Sequence, residues 1–243
     1  MLEVLGGLGL LVANLARTLV RRGFDRPEFF RSMVAYGEAS LPIIFLASLF
    51  TGVIMVLLAA IYVAQFGVYH LVGWYAGFST VREVGPVMIG LLFSGRVGAS
   101  HTSEMAAMAV TEQMLMLRVL ALDVFELFLL PRVLAMTLSL VALVIIGDGI
   151  AVAAGALAAK LLLGVDPHIF FSSLTTNLKP WDIEIGLIKA AGYGLMIGLT
   201  SSYFGIKAEG GAKAVGQAVN RQVVVSAIAI FVVDFGITHS LDV

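Results

Sequence analysis

Residues 81–135 read VREVGPVMIGLLFSGRVGASHTSEMAAMAVTEQMLMLRVLALDVFELFLLPRVLA. A charged pair, Arg82-Glu83, heads an apolar run. Charge and small residues return at Ser94-Gly95-Arg96, and acids, Gln and Arg then alternate with Met, Leu and Val. This succession predicts a membrane span that feeds directly into an amphipathic helical loop at the membrane surface. A loop of that kind is where a soluble partner can push on a membrane protein.

The rest of the chain agrees with a membrane setting. It has 243 residues, 60% of them hydrophobic and 13% charged, with a mean hydropathy of +1.01. Soluble domains carry about 25% charged residues, so the deficit points to an integral membrane protein. No span-like run alternates apolar and polar residues, which favours helices over a barrel. The net charge of -1 gives no basis for nucleic-acid binding. The absence of cysteine excludes disulfides and thiolate metal sites. At the N-terminus Arg17, Arg21 and Arg22 follow the apolar run instead of preceding it, which is not the order of a signal peptide.

The fold class expected is an all-α integral membrane protein with five transmembrane helices and a preceding interfacial helix, in one domain over 1–243. The interfacial amphipathic helix is expected over residues 1–38, with its apolar part first and a basic cluster after it. The spans are expected at 41–64, 74–100, 133–159, 185–206 and 222–241, each near the 20 residues that cross a bilayer. Pro42 would sit in the first turn of the first span, where proline is tolerated. A short surface helix is expected around 168–177, and a cytoplasmic coupling loop over 101–132. Most of the 15 basic residues, including Arg26, Arg31, Arg96, Arg118, Arg132, Lys207, Lys213 and Arg221, fall on one side if the N-terminus is cytoplasmic. The C-terminus is then on the outer side.

Charged residues inside spans cost roughly 2.5–3.5 kcal/mol each on insertion scales and usually face protein or water. Here they are Arg82, Glu83, Asp148, Lys189 and Asp234. Lys189 is expected to pair with Asp148 or with Asp234, holding helices together or forming a network that changes between transport states. Adjacent Arg82 and Glu83 cannot share one helical face and are expected to serve different neighbours. The small residues from Ser94 to Ser100 suit close helix packing, within the chain or against a second copy. Scattered His70, His168 and His239 have no metal-ligand spacing, and the Gly-rich stretch 205–216 lacks a nucleotide-loop pattern. Any ATP must therefore be bound by another chain. Met108, Val110, Met114, Leu117 and Leu120 recur at mostly helical spacing, and a Met-rich helix suits an adaptable docking surface.

These residues carry a resemblance. Arg82-Glu83-Val84-Gly85-Pro86-Val87, Leu91-Leu92-Phe93-Ser94-Gly95-Arg96-Val97-Gly98, Glu104, Met108, Val110-Thr111-Glu112-Gln113, Asp123 and Pro131-Arg132-Val133-Leu134-Ala135 resemble the MlaE/YrbE permease family in order and spacing. These are the membrane subunits of MCE-type lipid ABC transporters. Weaker matches are Gly52, Phe66-Gly67, Asp148, Lys189, Gly210-Gly211, Val215-Gly216 and Asp234-Phe235.

The resemblance implies a homodimer in a bacterial inner membrane, with a periplasmic MCE-domain protein above it and cytoplasmic ABC ATPase subunits below. In Gram-negative versions a small STAS-domain protein joins the ATPase. It implies no cofactor in this chain, with ATP and Mg held by the ATPase. It implies a phospholipid pocket, placed here at Leu58, Tyr62, Phe66, Arg82 and Glu83. ATPase coupling falls on Glu104, Met108, Thr111, Glu112, Gln113, Leu117 and Asp123. Departures from the family pattern are Leu58 for a Gln, Ala109 for an Arg, Val124 for a Pro, and Ala218-Val219-Asn220 for Ala-Thr-Thr. The function expected is a permease subunit, itself not an enzyme, moving phospholipid between inner and outer membranes. Three other readings stay open on the residues: a sterol or fatty-acid importer on the same scaffold, an intramembrane enzyme using His101 and Glu104, and a structural membrane anchor.

Overall fold

Helices account for all the regular structure among the described residues. The computed structural model describes residues 2–21, 23–66 and 71–242, with the backbone alone at 2–5, 64–66, 118 and 242. Gly67 and His70 lie outside the described residues. Helix α1 is Leu2–Arg21 and α2 is Arg26–Phe66. A long helical stretch follows, made of α3 (Val72–Ser79), a π-helical turn Thr80–Val84, α4 (Gly85–Phe93), a second π turn Ser94–Gly98, and α5 (Ala99–Val110). Next come α6 (Gln113–Val119), a third π turn Phe125–Leu129 leading into α7 (Leu130–Leu163), α8 (Pro167–Asn177), α9 (Pro180–Ile206) and α10 (Ala212–Asp242). Among the described residues, five stretches are long and apolar enough to cross a membrane: Arg26–Val63, Val72–Val110, Phe125–Leu163, Pro180–Ile206 and Ala212–Leu241.

The expected spans 74–100, 133–159, 185–206 and 222–241 fall within these stretches and 41–64 overruns the first by one residue, while two boundaries differ from the sequence reading. Residues 1–38 are not one interfacial element. α1 stops at Arg21, Gly23 adopts φ +82, and its N–H donates to Thr18 O at 3.2 Å. A glycine in the left-handed region is a common helix stop. α2 then starts at Arg26 and runs unbroken for 41 residues, a rise of about 60 Å. Pro42 therefore stands in the helix interior, not in the first turn. Phe29 and Ser32 are buried and Glu28 is ion-paired, which anchors this extension.

The loop expected at 101–132 is largely helical. α5 carries the second span to Val110, and the third resumes at Phe125. The connector between them is broken by two non-glycine residues in the left-handed region, Glu112 and Ala121, both at φ 58. Thr111 Oγ1 donates to Ala107 O at 2.7 Å, and the Asp123 carboxylate accepts the Phe125 N–H at 3.0 Å. Met108 to Leu120 is thus not one continuous helix. Met108, Met114 and Leu117 turn inward, while Leu115, Met116, Val119, Leu120 and Leu122 are exposed.

The chain folds into two compact units, and α2, α7, α9 and α10 each contribute a segment to both. The first unit comprises Met1–Ser40, Leu91–Leu140 and Ala191–Val233. Its core gathers Leu11 and Leu15 of α1 with Met105, Leu129, Val133, Leu199, Tyr203 and Phe204. The second unit comprises Leu41–Gly90, Val141–Ala190 and Asp234–Val243. Its core includes Val56, Ala59, Val72, Ala76, Ala159 and Phe170. Here α8, foreseen near 168–177, starts at an Asp166 cap that accepts the His168 N–H at 2.7 Å, with Pro167 in the first turn. α8 packs on α3 so closely that any Cβ on Gly73 would overlap the Phe170 backbone.

Candidate functional site

In the second unit the π turn Thr80–Val84 presents Arg82 and Glu83 to α9. Arg82 is ion-paired with Asp182 and lies over the Phe78 ring at 5.3 Å. Glu83 Oε2 meets the Lys189 ammonium at 2.6 Å, and Asp234 Oδ1 meets the same ammonium at 3.0 Å. Asp182 and Lys189 are seven residues apart on α9, so two helical turns put them on one face. Arg82 and Glu83 do serve different residues, but both of those residues are on the same helix. The reason is the π turn, which changes the angle between neighbouring side chains, together with the reach of Arg82 along α9. π turns recur at functional sites in helices. Asp182 is itself held in the first turn of α9, where its other oxygen accepts the Lys179 N–H at 3.0 Å.

Lys189 is wholly buried, whereas Glu83 and Asp234 are 38% and 21% exposed. The ammonium therefore sits innermost and its carboxylates reach outward. Of the two partners expected for Lys189, the structure selects Asp234 and adds Glu83. Asp148 is buried apart from this cluster, with Oδ1 packed against Gly85 and accepting no hydrogen bond. A Cβ on Gly85 would overlap that oxygen, and one on Gly186 would overlap Val81 O. These two glycines let α7 and α9 close on the π turn. Asp182 and Glu83 were the partners that sequence reasoning missed. The available signal was the seven-residue spacing of Asp182 and Lys189 opposite an adjacent pair of reversed charge order.

The other residues expected at a lipid pocket are placed differently. Leu58 and Tyr62 lie one turn apart on an exposed apolar face of α2, with the Tyr62 ring 6.1 Å from that of Tyr75. Phe66 ends α2, and its side chain is outside the described atoms. An apolar groove of about 510 Å³ runs between Phe45, Leu49 and Val53 of α2 and Ile150, Ala154 and Leu157 of α7.

In the first unit, the π turn Ser94–Gly98 buries Ser94 against Ser226, and Gln222 Nε2 donates to Ser226 Oγ at 3.2 Å. Gly98 packs against Gln222 and Ile197, so this part of the small-residue stretch serves packing within the chain. Arg96 is exposed. His101 is buried with Nε2 3.3 Å from Ser202 Oγ, while Glu104 is ion-paired with Arg132 at 2.9 Å. His101 and Glu104 thus have separate partners. Among the residues expected to couple to an ATPase, Thr111, Glu112 and Gln113 are exposed, Met108 and Leu117 pack on the core, and Asp123 caps the next helical turn.

A multi-span helical membrane protein with ion-paired charges at interrupted helices fits a permease, in which polar groups inside the membrane are kept for function. Residues 29–240 match the family Permease MlaE, and the chain belongs to that family. It is 32% identical to a probable ABC transporter permease protein of Rickettsia conorii, over 98% of this chain and 92% of that one. It is 30% identical to the intermembrane phospholipid transport system permease protein MlaE of Haemophilus influenzae, over 96% and 88%. It is also 32% identical to the chloroplastic protein trigalactosyldiacylglycerol 1 of Arabidopsis thaliana, over 82% of this chain and 57% of that one.

Proposed function

We propose that this chain is the membrane subunit of an ABC transporter that moves phospholipid between the inner and outer membranes of a bacterium. The observation that carries the reading is the Lys189 cluster. A fully buried ammonium is shared by two partly exposed carboxylates on different helical stretches, Glu83 on the π turn and Asp234 on α10, so relative movement of those stretches changes how the charge is shared. Likeness to a phospholipid-transport permease along almost the whole chain supports the substrate class. Leu58, Tyr62, Phe66, Arg82 and Glu83 would bound the lipid site, with the exposed α2 face taking acyl chains.

The working unit would be a homodimer. Of the five candidate spans, Ala212–Leu241 is covered least by its own chain, with 11% of its most apolar stretch buried. Val224, Ile228, Phe231, Val232 and Phe235 leave a continuous apolar face on it. A cytoplasmic ATPase, holding ATP and Mg, would dock on the connector at Thr111–Gln113 and the exposed Leu115, Met116, Val119 and Leu120. It can bias the permease only by binding its states with different free energies. An MCE-domain protein would sit on the periplasmic side, with a STAS-domain protein on the ATPase, the N-terminus cytoplasmic and the C-terminus periplasmic.

Native mass spectrometry of the tagged protein, gently extracted from its own membrane, tests this assembly. The expected result is a dimer with two ATPase subunits, an MCE-domain ring and bound phospholipid. A lone chain, under conditions that keep other transporters intact, would contradict it.

A further inference from the structure

Around the connector, in the first unit, three charged residues from distant parts of the sequence meet. Arg132, in the first turn of α7, donates from Nε to Glu28 Oε1 at 2.8 Å. Its Nη1 lies 2.9 Å from Glu104 Oε2, an ion pair rather than an aligned hydrogen bond. The guanidinium also covers the Phe128 ring at 5.5 Å. The two halves of this triad differ in setting. Arg132 and Glu28 have side chains only 9% and 15% exposed, whereas that of Glu104 is 54% exposed.

The difference decides which contact can open. Releasing Glu28 would leave a buried guanidinium and a buried carboxylate without their hydrogen bond, which is strongly unfavourable. Releasing Glu104 frees an already hydrated carboxylate and still leaves Arg132 paired with Glu28 through Nε, so it costs less than releasing Glu28. α7 is moreover fastened to α2 a second time, by Ser139 Oγ donating to Met33 O at 3.2 Å. Glu104 stands on α5 just before the connector, and Arg132 stands just after it. The Arg132–Glu104 contact therefore bridges the two arms through which any load on the connector must pass.

We propose that Arg132, fixed by Glu28, is a positioning residue that latches α5 to α7 through Glu104, and that this latch sets how much lipid moves per ATP hydrolysed. The proposal rests on the reading of the chain as an ATPase-driven lipid permease. Glu104 acts here on Arg132, not on the ATPase surface itself. The latch holds the two arms together so that ATPase movement shifts both long helices as one. With the latch open, the connector moves without them.

The test uses the whole complex reconstituted in vesicles, with phosphate release and movement of a fluorescent phosphatidylethanolamine measured in the same sample. Glu104→Gln is the main variant, because its exposed side chain can lose its charge without disturbing the core. It is expected to keep ATP hydrolysis within about twofold of wild type and to lower lipid moved per ATP about tenfold, the scale of coupling changes seen along such paths. Glu104→Asp keeps the charge and should restore most of the ratio, which a loss of general packing would not allow. If wild type moves lipid and Glu104→Gln leaves the ratio unchanged, the latch is wrong and the transporter reading stands. If wild type moves no lipid with ATP, the transporter reading fails and takes the latch with it.

Discussion

Replacing Lys189 by methionine is expected to destabilise the protein by about 3 kcal/mol, toward the lower end of what breaking a buried ion pair costs. Methionine fills nearly the same volume, so the effect isolates the charge. With the ammonium gone, Glu83 and Asp234 face each other across the space that Lys189 Nζ filled, each having been within 3.0 Å of it. Two carboxylates, one in each of two segments long and apolar enough to cross a membrane, repel one another without a counter-ion. Their residual exposure to solvent is what keeps the cost from rising further. For a chain of this size the loss corresponds to a fall of about 10 °C in the unfolding midpoint, measured by thermal unfolding in detergent micelles. Asp234→Asn should cost less, because Glu83 still pairs with the lysine. The double variant Lys189→Met, Glu83→Gln should recover part of the loss by removing one of the opposed charges. An unchanged midpoint for Lys189→Met would mean that the cluster does not hold these helices together.

Gly52→Ala is the second substitution with a large expected effect, although it adds one carbon. A Cβ at Gly52 would run into the backbone of Ala151, and Gly155 answers from α7 by packing on Gly52 and Val56. Because the obstacle is backbone, no side-chain rotation relieves it, and the two helices must separate. Overpacking of this kind costs about 1–3 kcal/mol, occasionally more, and the upper part of that range applies here. The matched control is Gly149→Ala on α7, where nothing lies within 4 Å of the added carbon. It is expected to be neutral, or stabilising by up to about 1 kcal/mol from helix propensity alone. Unfolding midpoints of the two variants, measured side by side, should separate by roughly 10 °C. Equal midpoints would contradict the close crossing of α2 and α7.

The spans were legible because crossing a bilayer demands long apolar runs that composition cannot hide. The short helix at Pro167–Asn177 was legible for a similar reason, since Asp166-Pro167 is a strong helix start. What escaped the sequence lies where local signals and tertiary contacts disagree. Arg26 and Arg31 are exposed, and the ion pair of Glu28 with the distant Arg132 is the tertiary contact that no local signal announces. The connector breaks at Glu112 and Ala121, residues that carry no glycine or asparagine to announce a left-handed backbone. At the candidate site the charged residues were visible one by one, and their connections were not. Asp182 lay just ahead of the span expected from 185, and the π turn that carries Arg82 and Glu83 has no sequence motif. Leu58 and Tyr62 were assigned to a pocket by resemblance, and in the single chain they stand on an open face.

The most direct test of the central claim is ATP-driven lipid movement by the purified complex. Vesicles carrying the complex would be mixed with vesicles lacking it, a fluorescent phospholipid starting in one population or the other, and transfer would be followed with and without ATP. If the chain is a lipid permease, transfer in one direction depends on ATP and is lost in Glu83→Lys while the complex still assembles. Transfer equal with and without ATP, or an assembled Glu83→Lys complex that transfers at the wild-type rate, would contradict that reading.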